Sequence, residues 1–137
     1  MHSPLTRDTT IRVLIVEDNL GDFALERRML DSMRSARFIA VHATTLAGAF
    51  EELKVPADVA LLDLNLPDSR DLDTLRRLRT HSPDLPILIV TGMEDRQKAV
   101  QALSEGAQDY LVKGQVDGYL LERAICRQLG IPARERT

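Results

Sequence analysis

Apolar residues fall along this chain in two alternating rhythms. Short, nearly unbroken runs (Ile11–Val16, Phe38–Val41, Val59–Leu64, Ile87–Val90 and Tyr110–Val112) are separated by longer stretches in which apolar residues return every three or four positions. Three of the runs, IRVLIV, VALLDL and ILIV, do not alternate with polar residues, the pattern of strands covered on both faces of a parallel sheet. The longer stretches predict five helices. Their inward faces are expected to carry Leu25, Met29 and Met33 behind an Asn19 cap; then Leu46, Ala49, Phe50 and Leu53; then Leu72, Leu75 and Leu78; then Ala99, Val100 and Leu103; and last Leu120, Leu121, Ala124, Ile125 and Leu129. Pro56, Pro67, Pro83, Pro86, Gly92, Gly106 and Gly114 punctuate the boundaries. Five strands taken in turn with five helices predict a doubly wound α/β domain, helices on both faces of a parallel five-stranded sheet of order 2-1-3-4-5. The domain is expected over residues 11–130, with a flexible tail at 1–10 and a second tail at 131–137.

Composition narrows the setting. At 137 residues the chain has the size of one domain and buries enough surface to need neither disulfide nor structural metal. Its 44% hydrophobic and 28% charged residues are ordinary for a globular protein. No apolar run approaches the ~20 residues of a membrane span, and the polar first ten residues are not a secretory signal; the expected location is the cytoplasm, with no membrane partner. A net charge of −3 gives no reason to expect nucleic acid as a partner. The pairs Arg27–Arg28 and Arg76–Arg77 lie among acids on predicted helices and read as solvated faces. The single cysteine, Cys126, sits in an apolar helical pattern and reads as a small buried hydrophobe. His2, His42 and His81 are scattered and read as surface or structural residues.

The candidate chemistry lies at the strand ends. In a parallel sheet the residues just past each strand gather along one edge, and the switch point between strands 1 and 3 is where ligands bind. Strand 1 ends in Glu17–Asp18, strand 3 in Asp63, strand 4 in Thr91–Gly92 and strand 5 in Lys113–Gly114. Three carboxylates, a hydroxyl and an amine are thereby expected together. Crowded acids repel one another. A hard cation with oxygen ligands relieves this, and Mg2+ favours one or two carboxylates plus waters and a phosphate oxygen. The histidines and thiolates that zinc prefers are absent from the set.

The segments VLIVEDN (Val13–Asn19), VALLDLNLPD (Val59–Asp68), PILIVTG (Pro86–Gly92) and EGAQDYLVKG (Glu105–Gly114), in this order and spacing, resemble the response-regulator receiver family of two-component signalling over nearly the whole chain, Ile11 to Leu129. The resemblance implies the flavodoxin-like (βα)5 fold and a set of roles. Asp63 matches the phosphoacceptor, converted to an aspartyl phosphate. Asp18 matches the acid that binds Mg2+ directly, Glu17 its water-mediated neighbour, and Asn65 the position that offers a backbone carbonyl to the metal. Thr91 matches the switch hydroxyl, Lys113 the lysine that pairs with the phosphoryl group, and Tyr110 the aromatic whose rotamer follows the state. Three positions depart from the family. Gly114 replaces the proline that commonly follows the lysine, so a trans bond is expected there, since a cis bond without proline costs about 2.5–4 kcal/mol. Asp71 stands where receivers often have glycine; with Asp68 it is expected to cap helix 3 or to shape the mouth of the site. Met93 is a bulky apolar residue near the acceptor.

The resemblance also implies a regulatory phosphoacceptor, not a turnover enzyme. A sensor histidine kinase or histidine phosphotransfer protein is the expected donor and a downstream protein the expected target, reached through the surface of helix 4, strand 5 and helix 5, where Ala99, Ala102 and Gln108 are expected to face a partner. The chain is expected to be a monomer or weak dimer. With no room for an output domain after helix 5, it reads as a stand-alone receiver, a relay intermediate or a piece of a longer protein. Three other functions compete. A phosphorylation-independent pseudo-receiver is disfavoured by the full set of acids, threonine and lysine. A dehalogenase-type phosphatase needs an aspartate where Asn65 stands. A flavodoxin-like cofactor binder lacks a phosphate loop after strand 1.

Overall fold

A computed structural model describes residues 9–133. Parallel strands β1 (Thr10–Val16), β2 (Arg37–Ala43), β3 (Val59–Leu62), β4 (Ile87–Thr91) and β5 (Asp109–Val112) form one sheet in the order β2-β1-β3-β4-β5. Helices α1 (Leu20–Asp31), α2 (Leu46–Glu52), α3 (Asp71–His81), α4 (Arg96–Ser104) and α5 (Gly118–Leu129) connect and follow them. The predicted strand order and helix count both hold.

Side chains on the central strands alternate between two cores, as strand geometry requires. Leu14, Val16, Ala60, Leu62, Ile87 and Ile89 face Leu46, Leu72, Leu75, Leu78 and Ala102, from α2, α3 and α4. Val13, Ile15, Val59, Leu61, Leu88 and Val90 face Leu30, Leu121, Ala124, Ile125 and Cys126, from α1 and α5. Cys126 is a buried free thiol, and burial pushes it up. The central strands are apolar on both faces because both faces are covered.

Two helical faces differ from the periodicity. On α1 the buried positions are Glu26 and Leu30, while Leu25 is 47% exposed. On α4 Ala102 is the buried residue, and Val100 and Leu103 are 63% and 47% exposed. Both short helices contain apolar residues on more than one face, so the period fits two rotations, and tertiary contact with the sheet selects the one that buries smaller or partly polar side chains. Ala102 is therefore not offered to a partner. Gln108, though exposed, accepts from the Ile87 backbone N–H through Oε1 at 2.6 Å. Leu120, expected inside, is 46% exposed.

The edges of the domain shift slightly. Thr10 pairs with Arg37 in β1–β2, and Ile131 is buried against the α5 side. The rest of the expected tails at 1–8 and 134–137, with His2, lies outside the described residues. β3 stops at Leu62, two residues before the apolar run does, which places Asp63 just past the ladder.

Candidate functional site

The site is assembled at the C-terminal edge of β1, β3 and β5. The end of β1 is tied to β2 through both the N–H and the carbonyl of Glu17. The Glu17 N–H donates to the Ala43 carbonyl at 2.9 Å, and the Glu17 carbonyl accepts from His42 Nε2 at 2.7 Å. A carbonyl only accepts, so Nε2 carries the proton. The His42 ring stacks on Phe23 of α1, centroids 3.6 Å apart and 5° from parallel. Just beyond, Asn19 caps α1: its Oδ1 accepts from the Asp22 N–H at 2.9 Å, satisfying a free donor of the first turn, and its own N–H donates to Glu17 Oε2 at 3.0 Å. Glu17 is thus buried at 1% exposure, whereas Asp18 is exposed.

Asp63 is 9% exposed. Its N–H donates to the Val16 carbonyl at 3.0 Å, and its Oδ1 accepts from the Asn65 N–H at 3.1 Å. The loop after it is pinned by Thr74, a buried residue whose hydroxyl donates to the Leu64 carbonyl at 2.6 Å. Across the edge, the Lys113 N–H donates to the Thr91 carbonyl at 2.8 Å. Gly114, with φ of +87°, turns the chain in a conformation that side chains other than glycine resist. There is no cis peptide bond among the described residues, in keeping with the absence of proline after Lys113.

The centre is an ammonium among carboxylates. Lys113 Nζ lies 2.6 Å from Glu17 Oε1, 2.8 Å from Asp63 Oδ2 and 2.8 Å from Asp22 Oδ2. Burial alone lowers the lysine, but its hydrogen bonds to Asp22 and Asp63 and its ion pair with Glu17 outweigh this and hold it charged well above the usual lysine range. Burial pushes Glu17 up to about 7, reinforced by the Asp63 charge and opposed by Lys113 and the Asn19 N–H.

Carboxylate oxygens of Glu17, Asp18 and Asp63 lie within 4.8 Å of one another. Glu17 Oε1 is buried, and its contact with Lys113 lacks hydrogen-bond alignment, so its lone pairs are incompletely used. An all-oxygen donor set of this charge fits a hard divalent cation such as Mg2+.

The structure brings Glu17, Asp18, Asp63 and Lys113 together. Asn65 is adjacent through its N–H, and its Oδ1 accepts from the Asp71 N–H at 3.3 Å. Thr91 closes β4 beside them, 2% exposed, its Oγ1 reached by the Met93 N–H at 3.5 Å. Tyr110 is half-buried, and its hydroxyl donates to the Met93 carbonyl at 2.8 Å, tying β5 to the loop before α4. Met93 itself is 41% exposed.

Of the two loop acids only Asp71 serves α3: its Oδ1 accepts from the Leu72 N–H at 2.9 Å, a donor of that helix's first turn. Asp68 caps α2: its carboxylate accepts from the Leu46 and Ala47 N–H groups at 2.9 and 3.0 Å, and these bonds hold it below the usual carboxylate range against some desolvation. Asp71 is the first residue of α3, at φ of +58°, the left-handed conformation glycine would supply at no cost. Its carboxylate pairs with Lys98 at 2.8 Å.

Three residues of the site escape a reading of strand ends alone. Asp22 and Glu26 follow Asp18 at intervals of four on a helix that starts at this edge, spacing that places them on one face. His42 reads from sequence as surface or structural, without its link to Glu17; nothing in its local sequence shows that β2 runs beside β1.

A family model described as the response regulator receiver domain matches residues 13–125. The virulence transcriptional regulatory protein PhoP of Salmonella typhimurium is 38% identical over 104 residues, 75% of this chain and 45% of that protein; the chain thus spans less than half the length of such curated relatives. Among solved structures, a response regulator receiver domain protein from Clostridium thermocellum superposes with a TM-score of 0.73 at 26% identity, covering 88% of this chain and 94% of the other. A sensor protein from Polaromonas sp. JS666 does so with a TM-score of 0.75 at 28% identity, over 88% and 96%.

Proposed function

Because the chain belongs to the response regulator receiver family of two-component systems, we propose that Asp63 accepts a phosphoryl group from a phosphohistidine of a sensor kinase or histidine phosphotransfer protein. The observation that carries this reading is the shared ammonium: Lys113 Nζ bridges the nearly buried Asp63 and Glu17 at an edge where three carboxylates also approach within 4.8 Å.

A carboxylate oxygen of Asp63 attacks phosphorus in line, the P–N bond to the donor imidazole breaks, and the imidazole leaves with the bonding electron pair. The Asn65 N–H on Oδ1 and the Lys113 ammonium on Oδ2 fix the rotation of the Asp63 carboxylate before a donor arrives, which lowers the entropic cost of the attack. Lys113 places positive charge where the phosphoryl oxygens gather negative charge. Asp18, Asp63, the Asn65 backbone carbonyl and, through water, Glu17 would hold Mg2+. That ion, when bound, supplies positive charge to the transferring group.

The aspartyl phosphate carries close to two negative charges where the carboxylate carried one, and brings new acceptors. The Thr91 hydroxyl turns toward them. Because Met93 is bonded both to Thr91 Oγ1 and to the Tyr110 hydroxyl, that turn is transmitted to Tyr110 and the α4–β5–α5 surface. The side chains on the outer side of this surface are Val100, Leu103 and Leu120, and a downstream protein is the proposed reader. No helix among the described residues is long and apolar enough to cross a membrane.

The test is amide NMR of the protein with Mg2+ and beryllofluoride. Perturbations at Asp63, Thr91, Met93 and Tyr110 are expected. A spectrum unchanged at these residues removes the reading.

A further inference from the structure

The Lys113 ammonium meets three carboxylates, from the ends of β1 and β3 and from α1: it hydrogen-bonds Asp63 and Asp22 and pairs with Glu17. Two of these, Glu17 and Asp63, belong to the acceptor site. The third, Asp22, lies in the first turn of α1, where the Asn19 cap holds its backbone N–H. Its side chain reaches Lys113 from the α1 flank.

That flank is open. A cavity of about 90 Å³ lies beside Lys113, walled by Leu25, Met29, Val90 and Val116, with Asp22 at its rim. Glu26, one turn after Asp22, is only 6% exposed and lines the same cavity without a hydrogen bond to any described residue. A lysine side chain is a long flexible stem with a mobile charge. Without a partner on this flank, its ammonium has both room to leave Asp63 and a buried acid to move toward.

We propose that Asp22 is a positioning residue for phosphoryl transfer, anchoring Lys113 Nζ from the α1 side so that the ammonium stays between Glu17 and Asp63. Asp22 does not touch the phosphoryl group. It acts by denying Lys113 the neighbouring cavity, where Glu26 is the competing seat. This rests on the reading of Asp63 as the acceptor.

The experiment compares wild type with Asp22→Asn, which keeps the shape and cap geometry but removes the charge. The maximal rate constant for labelling by phosphoramidate is measured at saturating Mg2+, together with the Lys113 Nζ resonance by NMR. Hydrogen bonds to charged groups are strong enough that misplacing the lysine slows labelling on the order of tenfold. Half-saturating phosphoramidate and the thermal midpoint should not change, and the Lys113 resonance should shift. The Asp22→Asn/Glu26→Leu double variant, with no acceptor left in the cavity, recovers part of the lost rate. A wild type that takes no label removes the underlying reading and this inference with it. A wild type that labels while Asp22→Asn keeps its rate and its Lys113 resonance removes the inference alone. So does a slow variant whose loss merely tracks its unfolded fraction.

Discussion

Replacing Glu26 with glutamine should stabilise this protein at alkaline pH and leave it nearly unchanged in mild acid. Glu26 lies on the buried face of α1, and burial, followed by the Glu17 charge, pushes it from the ordinary 4.5 up to about 8, against the pull of Lys113. The native state therefore holds a proton on Glu26 across the interval from 4.5 to 8, while the unfolded chain has already released it. Stability must fall as pH rises through that window and level off above it. At about 1.4 kcal/mol per pH unit, the interval sets a ceiling of about 5 kcal/mol. Water entry and movement of Lys113 reduce this, so a working value is on the order of 2–5 kcal/mol. Glutamine resembles the protonated acid and carries no such cost. Urea unfolding of both proteins in EDTA from pH 5 to pH 9 checks this, and taking the difference between them cancels the parallel contribution of Glu17. Agreement within about 1 kcal/mol at pH 5 and a gain of at least about 2 kcal/mol for the variant at pH 9 are expected. If instead the variant is weaker by a constant amount at every pH, Glu26 is ionised and paired in the native state, and the reasoning fails.

Other substitutions test other parts of the structure. Asp68→Ala removes the cap on α2 and should cost about 1–2 kcal/mol; hydrogen exchange should speed up at Leu46 and Ala47, and faster exchange at the start of α3 instead would mean the cap is misassigned. Gly114→Ala adds a methyl group that meets nothing within 4 Å, so only the backbone at φ of +87° resists it, and a loss of about 1–2 kcal/mol in urea unfolding is expected; no loss would show that the turn relaxes freely. Glu122 is buried and accepts from the Arg34 and Ser35 N–H groups at 3.1 and 2.9 Å and from the Ser35 hydroxyl. Glu122→Ala strands these donors and should cost about 3 kcal/mol, with Ser35→Ala costing less; equal losses would deny the carboxylate its central place.

The sheet was legible because its central strands are apolar on both faces, which few other arrangements require. Asp63, Thr91 and Lys113 were legible because strand ends in a parallel sheet share an edge. The rotations of α1 and α4 were not: Leu25 and Glu26 are adjacent, and the docking of α1 against the sheet turns Glu26 in and leaves Leu25 47% exposed. Asp68 illustrates the same limit. Its place just before α3 in sequence suggests a local cap, whereas its hydrogen bonds cross to Leu46, 22 positions earlier. His42 meets Glu17 only because β2 lies alongside β1. Local pattern fixes an element's type, and contacts between elements decide which of its faces carries chemistry.

The most direct measurement of the central claim is peptide mapping by mass spectrometry after labelling with a small phosphodonor and trapping the acyl phosphate with borohydride. One modified residue, Asp63, formed only with Mg2+ present and lost in Asp63→Asn, is the expected result. Modification at Asp18 or Asp22 in place of Asp63, or full labelling of Asp63→Asn, would contradict the account.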